Sequence, residues 1–443
     1  MSYKVRSILF AFFVIIFIVM TSYFSLYAAG YRLSLASILR GEALIQRTGI
    51  LVLDSNPKGA EISLWRQFRG LLFDENVLRN KNLRTPYKIK NLLPGEYVLN
   101  LELEGYWPWQ QKVNIYPGQS SYIEDIALFR RSLPIKFIDS STQKISLCPL
   151  DKKVILNNER RMIDLKTEQE VSLGGGISSI NFLGSGLVLL NNDLVFDYLK
   201  NDYIDLQKNN FSLSDNIKMR FGHIFYLRDG LNSYNIKSGR EDVVFPLDNI
   251  VDFEVSGDYY FLILRSEEGF YFQVYSQRQK ELIRSVKMPT SANYEILTIG
   301  NYSNFIYIYD NSLEKMYVIN LSFKFEHPWK VIDDVVGFDF IDGSNLVYHS
   351  NNEIYTFSSV LAEKFVITRF DHEIKSLVWH PKNYIIYSTS KDIFILDLKY
   401  NNQVIKLVSL EEVSNLALDT IGSVLYFTGK IGNQEGLYKL FIQ

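Results

Sequence analysis

Hydrophobic and polar positions follow three different patterns along the 443-residue chain. Residues 8–30 form one apolar run that contains no charged side chain and no histidine. Residues 31–48 place apolar side chains at helical spacing, and from Gly49 onward apolar and polar residues alternate in short runs. A run of about 20 apolar residues is long enough to cross a membrane as a helix, and alternation is typical of half-buried strands. The pattern therefore predicts a transmembrane helix, a helical juxtamembrane stem and an all-β remainder.

The residues on either side of the apolar run indicate its orientation in the membrane and whether it is cleaved. Lys4 and Arg6 precede the run, and three tyrosines near its end resemble an interfacial aromatic belt: Tyr23, Tyr27 and Tyr31. The run is longer than the roughly 7–15 apolar residues of a secretory signal, and Leu26 or Tyr27 stands where a cleavage site needs a small residue. We therefore expect an uncleaved single span in the cell membrane, with residues 1–7 cytoplasmic and the C-terminal domains extracytoplasmic. A cleaved signal peptide is the alternative.

Turn signals rich in proline and glycine separate the short alternating runs between residues 49 and 129. Proline presets the backbone of a turn, and glycine tolerates a positive φ. The alternating runs predict the strands of a small antiparallel β-sandwich: residues 50–54, 61–65, 85–89, 96–103, 109–115 and 122–128. Residues 66–84 interrupt this alternation as a polar insertion.

Residues 49–129 resemble the PEGA domain family. The matching features are Ser55-Asn56-Pro57-Lys58-Gly59-Ala60, Thr85-Pro86, Leu93-Pro94-Gly95-Glu96-Tyr97, Gly105-Tyr106 with Trp109, and Tyr116-Pro117-Gly118. The chain departs from the family where Pro57-Lys58-Gly59-Ala60 replaces Pro-Glu-Gly-Ala, and where residues 66–84 exceed the usual turn. The resemblance implies an extracytoplasmic, non-enzymatic β-domain, and it carries over no catalytic residue.

From Leu133 onward, a unit of about 35–43 residues recurs, and a repeat of this length with four strands is the signature of a β-propeller. Its clearest copy is residues 374–410, where four strands are visible. The copies begin near Lys144, Ile177, Asp215, Ile250, Tyr294, Val335, Ile374 and Val413. Residues 133–443 are therefore expected to form a propeller.

The last copy shows only three strands, and the spare strand Leu133–Ile138 precedes the first copy. We expect this strand to complete the last blade, because a closed ring leaves no exposed sheet edge. Eight blades are favoured, and seven are the alternative because the copies near residues 215–249 are poorly delimited. Trp379-His380-Pro381 and the Asp397 turn are similar to WD40-like or TolB-like propellers, although the Gly-His and Trp-Asp pairs are absent. A fold resemblance transfers no function.

Composition and motifs limit the kinds of partner and site that the chain can have. The net charge of −2 gives no reason to expect a nucleic-acid partner, and a single cysteine, Cys148, excludes an intramolecular disulfide. The five histidines lack metal-binding spacing, and Gly174-Gly175-Gly176 lacks the lysine of a phosphate loop. Asp333-Asp334 and Asp339 with Asp342 are interpreted as β-turn acids rather than a calcium loop. We expect no catalytic residue, no metal and no cofactor.

Two features remain as candidate partner-binding residues. Trp107 lies at a turn between Tyr106 and Trp109, where an indole could stack on a sugar ring or pack on a protein, unless it belongs to the core. The insertion contributes basic side chains that could meet an acidic polymer or lipid headgroups, or form a solvated loop: Arg66, Arg69, Arg79 and Arg84.

The function expected from the sequence is a membrane-anchored cell-surface protein that is not an enzyme. Its PEGA-like spacer and propeller would serve as a binding or scaffold platform for an envelope protein or polysaccharide. The alternatives are a propeller-type hydrolase or lyase acting on envelope polymers, and a lateral structural component of a surface layer.

Overall fold

In the computed structural model, the apolar run folds as one helix, α1 (Tyr3–Ala28), whose segment Arg6–Ala28 is long and apolar enough to cross a membrane, with a mean hydropathy of 2.5. None of that segment is buried within the protein. By length and composition it is a membrane anchor or a signal sequence.

The structure describes residues 3–33, 43–66, 75–76, 82–139, 145–148, 153–156, 161–165, 169–172, 180–184, 187–190, 194–197, 202–205, 217–220, 222–236, 238–289, 293–297, 304–322, 327–400 and 403–443. The chain divides into two units, Met1–Ser132 with Ile442–Gln443 and Leu133–Phe441.

The predicted helical stem is wrong where the structure describes it. Helix α1 ends because Gly30 adopts a positive φ of 82°, the left-handed conformation that commonly terminates helices. The chain then forms an antiparallel pair, β1 (Tyr31–Leu33) with β2 (Ile45–Arg47), and the intervening residues 34–42 lie outside the described part. The amide and the hydroxyl of Thr48 both donate to the Gly30 carbonyl, at 2.7 and 2.8 Å.

Residues 49–127 form two sheets that bury alternate side chains. The first sheet has the order β6 (Tyr87–Leu92), β3 (Gly49–Asn56), β9 (Ser120–Ala127). The second has the order β5 (Glu75–Asn76), β4 (Glu61–Arg66), β7 (Gly95–Glu102), β8 (Trp109–Ile115). Strand β8 alternates strictly, with Trp109, Gln111, Val113 and Ile115 buried. The predicted sandwich is confirmed, except that β3 pairs with β9 in parallel.

The turns that resemble the PEGA family bond to one another. The Thr85 hydroxyl lies 2.6 Å from the Ser55 hydroxyl and accepts a hydrogen bond from the Ala60 amide at 3.0 Å. The Gly59 amide donates to the Thr85 carbonyl at 2.8 Å. The family-like residues of the two turns thus form one hydrogen-bonded cluster at the end of the domain.

In the part of the chain that the structure describes, the second unit is a ring of eight four-stranded blades, which confirms the eight-bladed prediction. Blade 1 is β11 (Ile145–Cys148), β12 (Lys153–Leu156), β13 (Arg161–Asp164) and β14 (Glu170–Ser172); blade 2 is β15 (Ile180–Gly184), β16 (Leu187–Leu190), β17 (Leu194–Asp197) and β18 (Asp202–Asp205); blade 3 is β19 (Ile217–Arg220), β20 (His223–Leu227), β21 (Leu231–Asn235) and β22 (Arg240–Phe245); blade 4 is β23 (Ile250–Ser256), β24 (Tyr259–Ser266), β25 (Gly269–Ser276) and β26 (Leu282–Met288).

The remaining blades have the same order. Blade 5 is β27 (Tyr294–Leu297), β28 (Phe305–Asp310), β29 (Lys315–Asn320) and β30 (Lys330–Ile332); blade 6 is β31 (Gly337–Asp342), β32 (Asn345–His349), β33 (Glu353–Ser358) and β34 (Glu363–Arg369); blade 7 is β35 (Ser376–His380), β36 (Tyr384–Ser388), β37 (Asp392–Asp397) and β38 (Gln403–Ser409); blade 8 is β39 (Glu412–Leu418), β40 (Val424–Ile431), β41 (Gln434–Phe441) and β10 (Ile135–Asp139). The predicted repeat starts lie within three residues of the first strands.

Blade 8 is completed by β10, which pairs antiparallel with β41 as predicted. Apolar side chains then pack across the seam between blades 8 and 1, where Tyr426 contacts Ile163 and Leu165. The Tyr426 hydroxyl donates to the Leu165 carbonyl at 3.1 Å. Similar buried clusters lie between blades 3 and 4, 4 and 5, 5 and 6, and 6 and 7.

We expect Gly436→Ala to weaken this closure. A Cβ at Gly436 would overlap the Ile138 carbonyl oxygen on β10, so the full chain in detergent should lose about 2–3 kcal/mol of unfolding free energy in denaturant titrations. Gly432→Ala is the control for the added methyl group, because no atom lies within 4 Å of its Cβ. Its cost should be about 1 kcal/mol, from the positive φ of 59° at Gly432 alone. Equal losses would contradict closure by β10.

Candidate functional site

The first strands of the blades surround the axis of the ring, since first strands of neighbouring blades contact one another, as β31 does β35 and β35 does β39. A concave pocket of about 300 Å³ opens on these three strands. Its lining includes Phe338, Asp339, His349, Lys375, Ser376 and Asn415. This volume is at the lower end of ligand pockets and suits one side chain or one sugar unit.

Polar side chains in the pocket join adjacent blades. One Asp339 carboxylate oxygen accepts from the Trp379 amide of blade 7, and the other accepts from the Phe340 amide, both at 2.8 Å. The Ser376 hydroxyl accepts from the Leu416 amide of blade 8 at 3.2 Å. Asp339 is therefore a strand residue that links blades, and its interpretation as a turn acid is wrong.

Asp342 is a turn acid, as predicted. Its carboxylate accepts from the amides of Ser344 and Asn345 at 2.8 and 2.9 Å. Burial raises the pKa of the Asp342 carboxyl, but the bond from the Asn345 side chain and these two amide bonds outweigh it, so the pKa is lowered. The two acids of this strand thus have different structural roles, although they are three residues apart.

Two histidines at strand ends are buried. The His380 ring has a partner on each nitrogen: Nε2 lies 3.0 Å from the Gly422 carbonyl and donates to it, and Nδ1 accepts from the Lys382 amide at 3.2 Å. Burial lowers the pKa of His380 to about 4. Burial likewise lowers the pKa of His349, whose Nδ1 donates to the Ser350 carbonyl at 2.8 Å. Both rings are therefore neutral near pH 7.

A charged cluster lies on the first strands of blades 3 and 4. Lys218 is 3.5 Å from a carboxylate oxygen of Asp252 and 3.4 Å from one of Glu254, and Arg220 is 3.3 Å from Glu254. Asp252 also accepts from the Ile296 amide of blade 5 at 2.8 Å. Glu254 is thus paired with two cations, and Asp252 both pairs with Lys218 and binds the backbone of the next blade. Within the described ranges, no group of three or more potential metal ligands is present.

Glu295 lies beside this cluster on the first strand of blade 5. Burial raises the pKa of its carboxyl, the charge of Asp252 raises it further, and Lys218 opposes both. This carboxyl therefore holds its proton to higher pH than an isolated glutamate does.

Trp107 is half-buried rather than fully exposed. Its ring lies under the Arg131 guanidinium, whose Cζ is 4.7 Å from the ring centroid, and its amide donates to the Phe129 carbonyl at 2.7 Å. The indole N–H is buried without a hydrogen-bond partner within the described ranges. Trp109 belongs to the core as predicted, and Tyr106 is half-buried. A binding role for Trp107 stays a prediction.

The four arginines proposed with Trp107 do not form one basic surface. Arg66 ends strand β4 and is 3% exposed, and its guanidinium donates to the Pro94 carbonyl at 2.7 Å, so it does not belong to a solvated loop. Arg84 is exposed and pairs with Glu61 in an isolated β-bridge. Arg69 and Arg79 lie outside the described residues.

The sequence analysis did not identify the pocket. Its polar residues come from three blades whose first strands are about 40 residues apart, so no short motif contains them. One signal was available: Val-Asp-Phe at 251–253 and Phe-Asp-Phe at 338–340 place an aspartate inside equivalent first strands of two repeats.

The two-sheet domain of residues 49–127 belongs to a known family. Residues 48–124 match the PEGA domain family. The two-sheet domain is a PEGA domain. The match covers the two sheets from β3 to most of β9 and includes the turn cluster of Ser55 and Thr85. Among curated proteins, none matches this chain.

Solved structures similar to the chain are propeller proteins. The Dos1 propeller is 12% identical, with a TM-score of 0.46, over 71% of this chain and 96% of that one. The C-terminal WD40 domain of Sif2 is 11% identical, with a TM-score of 0.45, over 71% and 98%. Because these TM-scores are below 0.5, the eight-bladed architecture rests on strand pairing, not on these similarities.

The buried histidines should make stability depend on pH. His380 has a pKa below its ordinary 6.5, so its contribution is complete above about pH 6.5 and is lost as the pH falls toward about 4, to a limit of about 3 kcal/mol. His380→Gln should lower the unfolding free energy at pH 7.5 but flatten its slope between these pH values. Exposed His327 offers the control His327→Gln. A slope unchanged by His380→Gln would contradict this prediction.

The stacking of Arg131 on Trp107 should be measurable. Trp107→Ala should cost about 1–2 kcal/mol of unfolding free energy, because the half-buried ring loses its packing. A double-mutant cycle with Arg131→Ala should give a coupling of about 0.5–1 kcal/mol, typical of a cation–π contact. Denaturant titration of the four proteins provides both values, and additive losses would show that the two side chains do not interact.

Proposed function

We propose that this protein is a membrane-anchored binding platform without catalytic activity, which holds an envelope protein or polysaccharide at the cell surface. Helix α1 would be the single uncleaved span, with its N-terminus in the cytoplasm. The PEGA domain would be the spacer, and the propeller would present the ligand site outside the cell.

The observation that carries this proposal is the pocket on the first strands of blades 6, 7 and 8. Sites on strands are held more precisely than sites on loops, and here bonds from Asp339 and Ser376 to the next blade fix the strands. Its apolar wall includes Phe338 and Leu377. The Lys375 side chain is 43% exposed, and its ammonium lies 2.6 Å from a Glu373 carboxylate oxygen, so a ligand would meet an ion pair there. This mixture suits recognition of a projecting group on a larger partner.

Binding rather than turnover is proposed because Asp252 and Asp339, two acids on first strands, hold the backbone of the next blade. Asp339 and Asp252 each accept a backbone amide of the next blade, so protonating either one would weaken the ring. A general acid must exchange its proton during each cycle. These carboxyls are better suited to holding the blades together than to proton transfer.

Charge reversal at the pocket tests the proposal. Lys375→Glu in the full chain should weaken retention on isolated cell envelopes by about fivefold or more, the effect of a residue worth about 1 kcal/mol at an interface. Lys364→Glu, an exposed change on the outermost strand of blade 6, is the matched control and should leave retention unchanged.

Other outcomes separate the rival functions. Release of soluble fragments from the envelopes, lost in Lys375→Glu, would favour a hydrolase or lyase. Self-association of the detergent-solubilised protein, without retention on envelopes, would favour a lateral surface-layer component. Equal retention of the two variants would overturn the pocket as the binding site.

A further inference from the structure

Strands β1 and β2, together with the Tyr116 turn of the PEGA domain, form an exposed aromatic and basic surface near the end of helix α1. We call this surface the collar: Tyr31, Arg32, Ile45, Arg47 and Tyr116. Tyr31, Ile45 and Tyr116 are 37%, 44% and 54% exposed, although all three are large and hydrophobic. Arg32 and Arg47 are also exposed. Aromatic rings beside basic side chains are the combination found where proteins meet the membrane–water interface.

Hydrogen bonds hold the collar against the end of the helix. Thr48 donates its amide to the Gly30 carbonyl at 2.7 Å and accepts the Gly118 amide at 3.0 Å, so one residue separates the helix end from the turn that carries Tyr116. The Asn91 side chain donates to the Tyr27 hydroxyl at 2.8 Å. Within the described residues, the start of the PEGA domain is therefore hydrogen-bonded to the end of the helix.

The two arginines are positioned by this arrangement. Arg32 donates to the Asn91 carbonyl at 3.4 Å. Arg47 lies across the turn at Gly118, where an added Cβ would come 2.6 Å from the Arg47 Cζ. Strands β1 and β2 place Tyr31 directly opposite Arg47, and opposite residues of an antiparallel pair project on the same side. Cationic and aromatic groups thus lie side by side.

The length of helix α1 relative to the bilayer thickness indicates where the collar would lie in the membrane. The segment Arg6–Ala28 has 23 residues, which gives a helix of about 35 Å, enough to cross a hydrocarbon core of about 30 Å and end at its boundary. The headgroup layer beyond is about 5–8 Å thick. A turn one residue away from the helix end lies within that layer.

We propose that the collar seats the PEGA domain on anionic lipid headgroups of the membrane that holds α1. This inference rests on the proposed membrane anchoring and goes beyond it, because an anchored domain need not touch the lipid. Arg32 and Arg47 bind headgroup phosphates, while Tyr31, Ile45 and Tyr116 enter the interface. The seat holds the domain in one orientation to the membrane.

Fluorescence quenching in nanodiscs tests the seat. The full chain, with Cys148→Ser, carries one bimane-labelled cysteine, either Gln119→Cys on the collar turn or Glu104→Cys at the other end of β8. These positions are separated by the seven-residue strand β8, about 23 Å. A headgroup spin-labelled lipid should quench the label at 119 strongly and the label at 104 little. Adding phosphatidylglycerol to phosphatidylcholine discs should increase the quenching at 119.

Charge removal gives the matched comparison. Arg32→Gln with Arg47→Gln should abolish the increase caused by phosphatidylglycerol. Lys58→Gln with Lys88→Gln, exposed changes towards the other end of strand β3, should preserve it. High salt should abolish the increase in the unsubstituted chain as well, so the test does not depend on the variant folding.

Each outcome bears on a separate claim. Equal quenching at 119 and 104 in disc-inserted protein overturns the collar while leaving the anchor in place. Strong quenching at 119 that is independent of phosphatidylglycerol and salt overturns anionic headgroups as the ligand. Protein extracted from the discs by alkaline carbonate overturns the anchor, and with it the proposed function.

Discussion

The pairing of β10 with β41 is the interaction on which the propeller depends. Without it, blade 8 would have three strands and a free edge, and an unpaired edge invites association with other chains. With it, the first and last strands of the propeller in sequence order, β10 and β41, lie in one sheet. The apolar contacts between blades 8 and 1 can then form, and the remaining blades are held in a closed circle rather than an open array.

Within this ring, the polar residues near the axis serve mainly the contacts between blades. Asp252, Asp339 and Ser376 each accept an amide from the first strand of the following blade. The first strand of each blade is an edge of its sheet, so such an acceptor satisfies a backbone amide that has no partner in the sheet. The same bonds make the walls of the pocket rigid, so stability and recognition depend on the same side chains.

Local patterns predicted most of this fold. Alternation identified the strands, the turns at Pro57 and Pro94 identified the PEGA domain, and the recurring unit gave the number of blades. The failures have physical causes. The role of Gly30 was missed, because its left-handed conformation is not visible in a continuous apolar pattern. The parallel pairing of β3 with β9 is a choice between distant partners, which periodicity does not encode.

The candidate site was less predictable than the fold. The burial of Arg66 depends on the Pro94 carbonyl, 28 residues away. The half-buried position of Trp107 depends on Arg131, which follows two further strands. The pocket exists only once three blades are assembled. Properties that depend on assembled neighbours cannot be inferred from the spacing of residues within one repeat.

Closure by the first strand also imposes an order on biosynthesis. About 300 residues separate β10 from its partner β41, and at about 5–20 residues per second the ribosome needs roughly 15–60 s to make them. During that time β10 is a strand without a partner, and the seven intermediate blades can form only an arc. A nascent chain of this protein must therefore keep β10 from pairing with another strand until its last blade emerges.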